Sequence, residues 1–255
     1  KKTKQIGDGR LLSQLTGFSV VCNFREHDIK NGGQGAPLVP IFHKTLQTKL
    51  RLKLPLVFLN IGGISNLTHL NKRIKMASFD SGPGNFLIDK ILQIKSKDKI
   101  QFDEGGMIAF RGIVDKNILD SYLSDPYYEA LPPKSLDVND FSLSPLRSLN
   151  LEDSVATLSE LTSITIVSAL NFFNTKPIEI ILCGGGRKNK YISERIKKLS
   201  NIEVSNIDNY KINGDFIESQ AFAYLAIRSF LKKNITFPET TGVTRPISGG
   251  DFIEF

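Results

Sequence analysis

Three apolar runs that end in glycine-rich turns constrain this chain more than any other feature. Leu54–Asn60 (LPLVFLN) leads into Ile61-Gly62-Gly63, Lys75–Phe79 delivers Asp80 to Ser81-Gly82-Pro83-Gly84-Asn85, and Pro177–Cys183 (PIEIILC) runs into Gly184-Gly185-Gly186. Leu54–Asn60 and Pro177–Cys183 are short and largely apolar, as expected for strands covered on both faces. Helical patterns alternate with them. Leu38–Leu50 follows a glycine loop with Pro37 placed near a helix start, and Phe86 opens an apolar segment that stays mostly helical to about Ser124, interrupted by Gly105-Gly106 and Gly112. Ser154–Phe173 reads as one long helix, Tyr191–Leu199 as another, and Asp215–Lys232 as a third with Glu218 in its first turn. Strands interleaved with helices point to an α/β architecture.

The amino-terminal part adds a short helix over Arg10–Thr16 and a short buried strand over Phe18–Cys22, with a polar loop after it carrying Arg25. Arg25 can hold an anion bidentately or stand as an ordinary surface arginine. Leu67–Leu70 reads as the strand that returns from the Gly62-Gly63 turn, Ile202–Val204 as a further short strand, and the tail from Asn234 as a glycine- and proline-punctuated surface segment.

The turns carry the chemistry. Asp80 stands before a glycine-bounded turn whose glycines permit positive φ and close backbone approach. The helix start at Phe86 would turn free N–H groups back into that turn, a setting that favours anions. A carboxylate beside an anion cradle is one reading; Asp80 as a helix cap is the other. The Gly62-Gly63 hairpin is either a phosphate-binding nest or glycine used for turn geometry. Strand, triple glycine and helix is a layout in which a flat nucleotide ring reaches the backbone, although the glycines lack dinucleotide-site spacing. Asn31–Pro37 lacks the Lys-Ser/Thr of a P-loop. Asp215 and Glu218 suit a helix N-terminus without further role.

With 255 residues, the chain can bury one large core or two smaller ones. Its 33 Lys plus Arg against 26 Asp plus Glu give a formal net charge of +7. The basic residues are scattered and tryptophan is absent, which argues against a nucleic-acid surface. Cys22 and Cys183 are too few for a disulfide framework and read as two reduced thiols, in keeping with a cytoplasmic setting. His27, His43 and His69 show no metal-ligand spacing, so no metal site is expected from side chains. No apolar run approaches the roughly 20 residues of a membrane span, and KKTKQIGDGR has no apolar signal core. The absence of an initial methionine suggests a fragment or a processed form.

Eight stretches taken together resemble the anhydro-N-acetylmuramic acid kinase family: QIGD (Gln5–Asp8), GGQGAPLVPIFH (Gly32–His43), NIGGISNLT (Asn60–Thr68), FDSGPGN (Phe79–Asn85), SDPYY with PPKS, ATLSELT (Ala156–Thr162), CGGGRKN (Cys183–Asn189) and ESQAFAYLAIR (Glu218–Arg228). Their order and spacing run the length of the chain. The resemblance implies a two-lobed α/β fold of the actin, Hsp70 and sugar-kinase type, with residues 1–55 as the remnant of an incomplete first lobe and 56–255 as the second. It implies a cytoplasmic, ATP- and Mg²⁺-dependent kinase. The reaction would open the 1,6-anhydro ring of anhydro-N-acetylmuramic acid and phosphorylate O6 in cell-wall sugar recycling.

By that resemblance Asp80 is the catalytic base. Gly62, Gly63 and Asn66, with Gly82, Gly84 and Asn85, line the phosphates; Gly184, Gly185 and Gly186 line the adenosine; Arg25 and Gln34 lie near the sugar, and Glu218 near the sugar or the metal. The partners implied are the sugar and ATP, with a homodimer allowed and neither nucleic acid nor membrane. Asn23-Phe24-Arg25 stands where the family carries Asp-Phe-Arg, and the family's amino-terminal Met-Ser-Gly-Thr-Ser-type phosphate loop does not occur in this sequence. The alternative expectations are an inactive remnant of such a kinase or a related sugar kinase.

Overall fold

A computed structural model describes residues 5–72 and 76–255. Lys75, at the start of one expected strand, lies outside them. The chain opens with α1 (Gly9–Thr16), whose first amides are capped by the Asp8 side chain. There follow β1 (Val20–Cys22), α2 (Phe24–Lys30), α3 (Pro40–Leu50), β2 (Leu56–Ile61), β3 (Ile64–Leu70) and β4 (Met76–Pro83). The helices α4 (Phe86–Ser96), α5 (Lys116–Leu123) and α6 (Leu151–Ala169) lead to β5 (Glu179–Cys183), α7 (Lys190–Ser200) and β6 (Glu203–Asn206). Finally come α8 (Ile217–Phe230), α9 (Pro238–Thr241) and β7 (Asp251–Ile253).

β2 to β6 form one mixed sheet in the order β4-β3-β2-β5-β6. The Gly62-Gly63 turn is short enough only for an antiparallel return, and β2–β3 and β3–β4 are antiparallel. β2–β5 and β5–β6 are parallel; the chain reaches β5 from β4 through α4, α5 and α6, and β6 from β5 through α7. Alternation along the strands divides the side chains between two cores. Val57, Leu59, Leu67, Phe79, Ile180 and Leu182 pack under α4, α6 and α7. Leu56, Phe58, Leu70, Met76, Ile181 and Cys183 pack under α3 and α8, where Phe42, Leu46, Ala221 and Leu225 meet them. Phe24, Leu38 and Leu52 join the second core, so packing continues across residue 55.

Several local expectations change. The Phe18–Cys22 strand shrinks to three half-buried residues, with Phe18 exposed, because it pairs only with β7 in a two-stranded ribbon. The segment carrying Arg25 is helix α2, not a loop. Pro40 rather than Pro37 occupies the first turn of α3. Helix α6 extends through a tighter turn to Phe172, and Leu151–Phe172 is long and apolar enough to cross a membrane by length and composition. It is a core helix here, with Val155, Leu158, Leu161 and Ile166 fully buried. The tail is no surface segment either: Ile235, Thr236, Thr241 and Val243 are buried, and β7 clasps β1.

Candidate functional site

On the α3/α8 face, three adjacent strands change from apolar to polar toward the same end. β2 reads Leu56, Phe58, Asn60; β3 reads Leu70, Thr68, Asn66; β4 reads Met76, Ser78, Asp80. The register aligns Asn60 with Asn66 and Asn66 with Asp80, after an irregularity between Ser65 and Asn66. This polar row lies where β2 and β5 end, the location at which α/β sheets gather ligands. It lines a cavity of about 240 Å³. Arg25 of α2, His43 of α3, Gly184, Gly185 and Arg187 after β5, and Glu218 of α8 line it too.

Asp80 is 6 % exposed and sits within β4, which excludes the helix-cap reading. One segment holds it at three atoms. Leu136 N–H donates to its Oδ2 at 2.9 Å, its own N–H donates to Lys134 O at 3.2 Å, and Tyr127 O–H donates to its carbonyl at 2.6 Å. The Lys134 ammonium anchors that segment from beneath, donating to Tyr127 O at 2.9 Å and standing 4.4 Å from the Phe172 ring centroid and 4.6 Å from that of Tyr127. Burial lowers its pKa from the ordinary lysine value.

The triple-glycine turn has a different reason for each glycine. Gly184 has φ +73°, and a Cβ there would come within 2.4 Å of Asn60 Oδ1. A Cβ on Gly186 would come within 2.3 Å of Ile61 Cγ2. Gly185 meets nothing closer than Asn85 Nδ2 at 3.9 Å, so packing alone does not require glycine there. Gly185 also lines a second cavity, of about 650 Å³, together with Asn85 just before α4, Asp89 of α4, Glu104, Gly186 and Asn189. Burial, and then Asp103, push Asp89 up to about 6.

Arg187 fixes the turn from below. Its Nε lies 2.8 Å from Asp208, a guanidinium nitrogen lies 2.9 Å from Asp215, and that nitrogen also donates to Gly184 O at 3.0 Å. Hydrogen bonds from Arg187 and then Lys188 hold Asp215 at about 2. Asp215 is thus an ion-pair partner before α8 rather than part of that helix.

The remaining expected residues divide. Asn66, Arg25 and Glu218 line the first cavity, and Asn85 lines the second. Gly62, Gly63, Gly82 and Gly84 stand outside both linings. Gly62 and Gly63 accept from the N–H groups of Gly84, Asn85 and Phe86, so those amides at the start of α4 are already engaged. Gly82 and Gly84 have no positive φ; they are small because Thr165 Oγ1 and Gly62 O would lie 2.6 and 2.2 Å from an added Cβ. Gln34 also lies outside the cavity lining, its N–H donating to Thr241 O at 2.7 Å and its Oε1 accepting from Ser135 at 3.4 Å.

The wall formed by Ala36, Pro37 and Leu38 is tied down behind the cavity. The Asp28 carboxylate accepts from Gly35 N–H at 2.7 Å and from Thr241 O–H at 2.6 Å. Asn23, just before α2, has φ +56°, which asparagine tolerates, and donates to Asp251 at 2.8 Å.

A family model described as anhydro-N-acetylmuramic acid kinase matches residues 1–253. An anhydro-N-acetylmuramic acid kinase of Pelagibacter ubique is 46 % identical over 266 residues, covering 100 % of this chain and 70 % of that protein. One of Zymomonas mobilis is 41 % identical over 249 residues, covering 97 % of this chain and 67 % of that protein. The chain belongs to the anhydro-N-acetylmuramic acid kinase family.

Among solved structures, xylulose kinase from Rhodospirillum rubrum aligns over 74 % of this chain and 41 % of its own, at 11 % identity and a TM-score of 0.47. For an anhydro-N-acetylmuramic acid kinase relative, ATP with Mg²⁺ is the implied cofactor pair. Among the described residues no group of three or more His, Cys, Asp or Glu gathers as a metal cage. The carboxylates on the first cavity's wall are Asp80, Glu218 and the ion-paired Asp215, few enough to fit an Mg²⁺ held mainly by phosphate oxygens and water. Sequence reasoning missed His43, Asn60, Lys134 and Arg187 as parts of the site. The signal for the last two was a basic residue following Pro-Pro and following Gly-Gly-Gly.

Proposed function

We propose that the protein opens the 1,6-anhydro ring of anhydro-N-acetylmuramic acid with water while transferring the γ-phosphoryl group of ATP to O6, yielding N-acetylmuramic acid 6-phosphate and ADP. The observation that supports it most is one carboxylate, Asp80, lining the same cavity as the Gly184–Gly185 turn, with a second cavity continuing from Gly185. The sugar would occupy the first cavity and the adenosine the second.

Asp80 takes one proton from a water whose oxygen bonds to the anomeric carbon. The bond from that carbon to O6 breaks, and O6 takes the phosphoryl group. The other water proton remains on the new anomeric hydroxyl. Asp80 contributes position as well as basicity: the Leu136 amide occupies its Oδ2 and Tyr127 pins its backbone, so the carboxylate cannot rotate freely. Arg25 and Glu218 face the sugar side, Asn66 the phosphates, and Asn85 with Gly184–Gly186 the nucleotide. Gly62, Gly63, Gly82 and Gly84 shape the hairpin and strand end that carry Asp80. The setting is cytoplasmic sugar recycling, and residues 1–55 would contribute to the first lobe.

Asp80→Asn in the full-length protein tests the assignment. It keeps an acceptor for Leu136 N–H and removes the base, so kcat should fall about 10²–10⁴-fold with the unfolding temperature little changed. A variant with wild-type kcat would reject Asp80 as base, and wild-type protein inert toward the anhydro sugar and ATP would reject the substrate.

A further inference from the structure

His43 lines the cavity beside Asp80, is 1 % exposed, and stacks on Phe58 with ring centroids 4.7 Å apart. Hydrogen-bond accounting assigns its tautomer. Ser78 Oγ lies 2.6 Å from Leu67 O, and only the serine hydroxyl can supply that proton. Thr68 Oγ1 lies 3.2 Å from Ser78 Oγ, so threonine is the donor there. With its single proton spent there, the 2.9 Å contact from His43 Nδ1 is assigned as Nδ1–H donating to Thr68 Oγ1. Nε2 therefore carries a lone pair. It is buried and has no hydrogen-bond partner in the protein. Burial pushes the His43 pKa down to about 3, so the ring is neutral at working pH.

We infer that His43 is a specificity-determining residue of the sugar subsite, its Nε2 accepting a hydrogen bond from a neutral donor of the bound sugar. A buried acceptor without a partner is destabilising, and a ligand hydroxyl or amide N–H relieves it. A phosphate or carboxylate cannot, since lone pair would face lone pair. The phosphates consequently lie elsewhere in the cavity, and the anhydro sugar offers two suitable groups, its 4-hydroxyl and its acetamido N–H. This deepens the proposed function and rests on it for the identity of the sugar.

Two variants separate the ring nitrogens. His43→Asn retains an N–H near the Nδ1 position and lacks Nε2; His43→Gln places an amide oxygen near Nε2. His43→Asn should raise KM for the anhydro sugar at least about tenfold, with kcat and KM for ATP within about threefold of wild type, and His43→Gln should recover most of the loss. Methylating the 4-hydroxyl or the acetamido nitrogen should weaken wild type and cause no further loss in His43→Asn, which identifies the donor. Unchanged sugar KM in His43→Asn, or a loss confined to kcat, would overturn the inference.

A measurement on the wild-type protein stands apart from turnover. The ¹⁵N resonance of His43 Nε2 should be that of an unprotonated ring nitrogen in the free protein and should move toward the hydrogen-bonded position when the anhydro sugar is added. A protonated Nε2 in the free protein would overturn the inference whatever the substrate. A wild type without turnover would instead count against the proposed reaction alone.

Discussion

Gly185→Ala isolates the turn's contact with ligand from its contribution to folding. A methyl group there meets nothing within 3.9 Å, and the residue has no positive φ. Its effect on the free protein should come through the unfolded chain, a stabilisation of about 0.4–1 kcal/mol. For a domain of this size that raises the unfolding temperature by about 1–4 °C. Gly184→Ala is the control. Forcing an alanine to φ +73° and ψ 178°, backbone that is essentially confined to glycine, costs about 1–3 kcal/mol before the 2.4 Å approach to Asn60 and the 2.8 Å approach to Ile61 O are counted. Calorimetry should therefore rank Gly185→Ala at or above wild type and Gly184→Ala well below it. With ATP the order should change. Gly185 lines both cavities, so a methyl group there competes with the nucleotide for space, and overpacking of about 1–3 kcal/mol raises KM for ATP about 5- to 150-fold. A Gly185→Ala protein with wild-type KM for ATP, or one as unstable as Gly184→Ala, would refute the division of roles within the turn.

Lys134→Met keeps the bulk beneath the Asp80 clamp and removes its charge. With the ammonium lost from the Tyr128 carbonyl and from the Tyr127 carbonyl, which keeps the Ala130 N–H, and no cation over the Phe172 and Tyr127 rings, we expect about 1–3 kcal/mol of destabilisation in denaturant titration, together with a fall in kcat larger than the change in sugar KM. An equal effect on both constants would detach Lys134 from the positioning of Asp80. His43 predicts an acid response. Its folded pKa of about 3 lies below the ordinary 6.5, so the unfolded chain binds the proton first. Its stabilising contribution is complete above pH 6.5 and is lost as pH falls toward 3, by about 5 kcal/mol in all. Stability of His43→Gln should lack that slope between pH 6.5 and 3, as urea titrations across the range will show.

The strands and the order of the motifs were legible because burial on both faces leaves apolar runs that need no long-range information. LPLVFLN and PIEIILC could only be inner strands, and β2 and β5 are neighbours in the sheet. Asp80 was legible for the same reason, as a carboxylate ending such a run. What the sequence hid was pairing. Nothing in the letters shows that Gly62 and Gly63 use their carbonyls on the amides of 84–86, or that Gly84 is small because Gly62 O lies behind it. His43 looked like one of three unrelated histidines because Thr68 and Ser78, which fix its tautomer, come from strands 25 and more residues away. The tail looked loose because a few buried residues around prolines and glycines carry no periodicity, and its order comes from β1 and α2.

The strut formed by Thr241 and Asp28 has a mechanical result. The rim at Ala36–Leu38 is braced by a hydroxyl more than two hundred positions further along the chain, on the side facing away from any occupant. Trimming that hydroxyl would slacken the opening without altering one atom that a substrate touches. One wall of the mouth is thus held by the contact of α2 with α9.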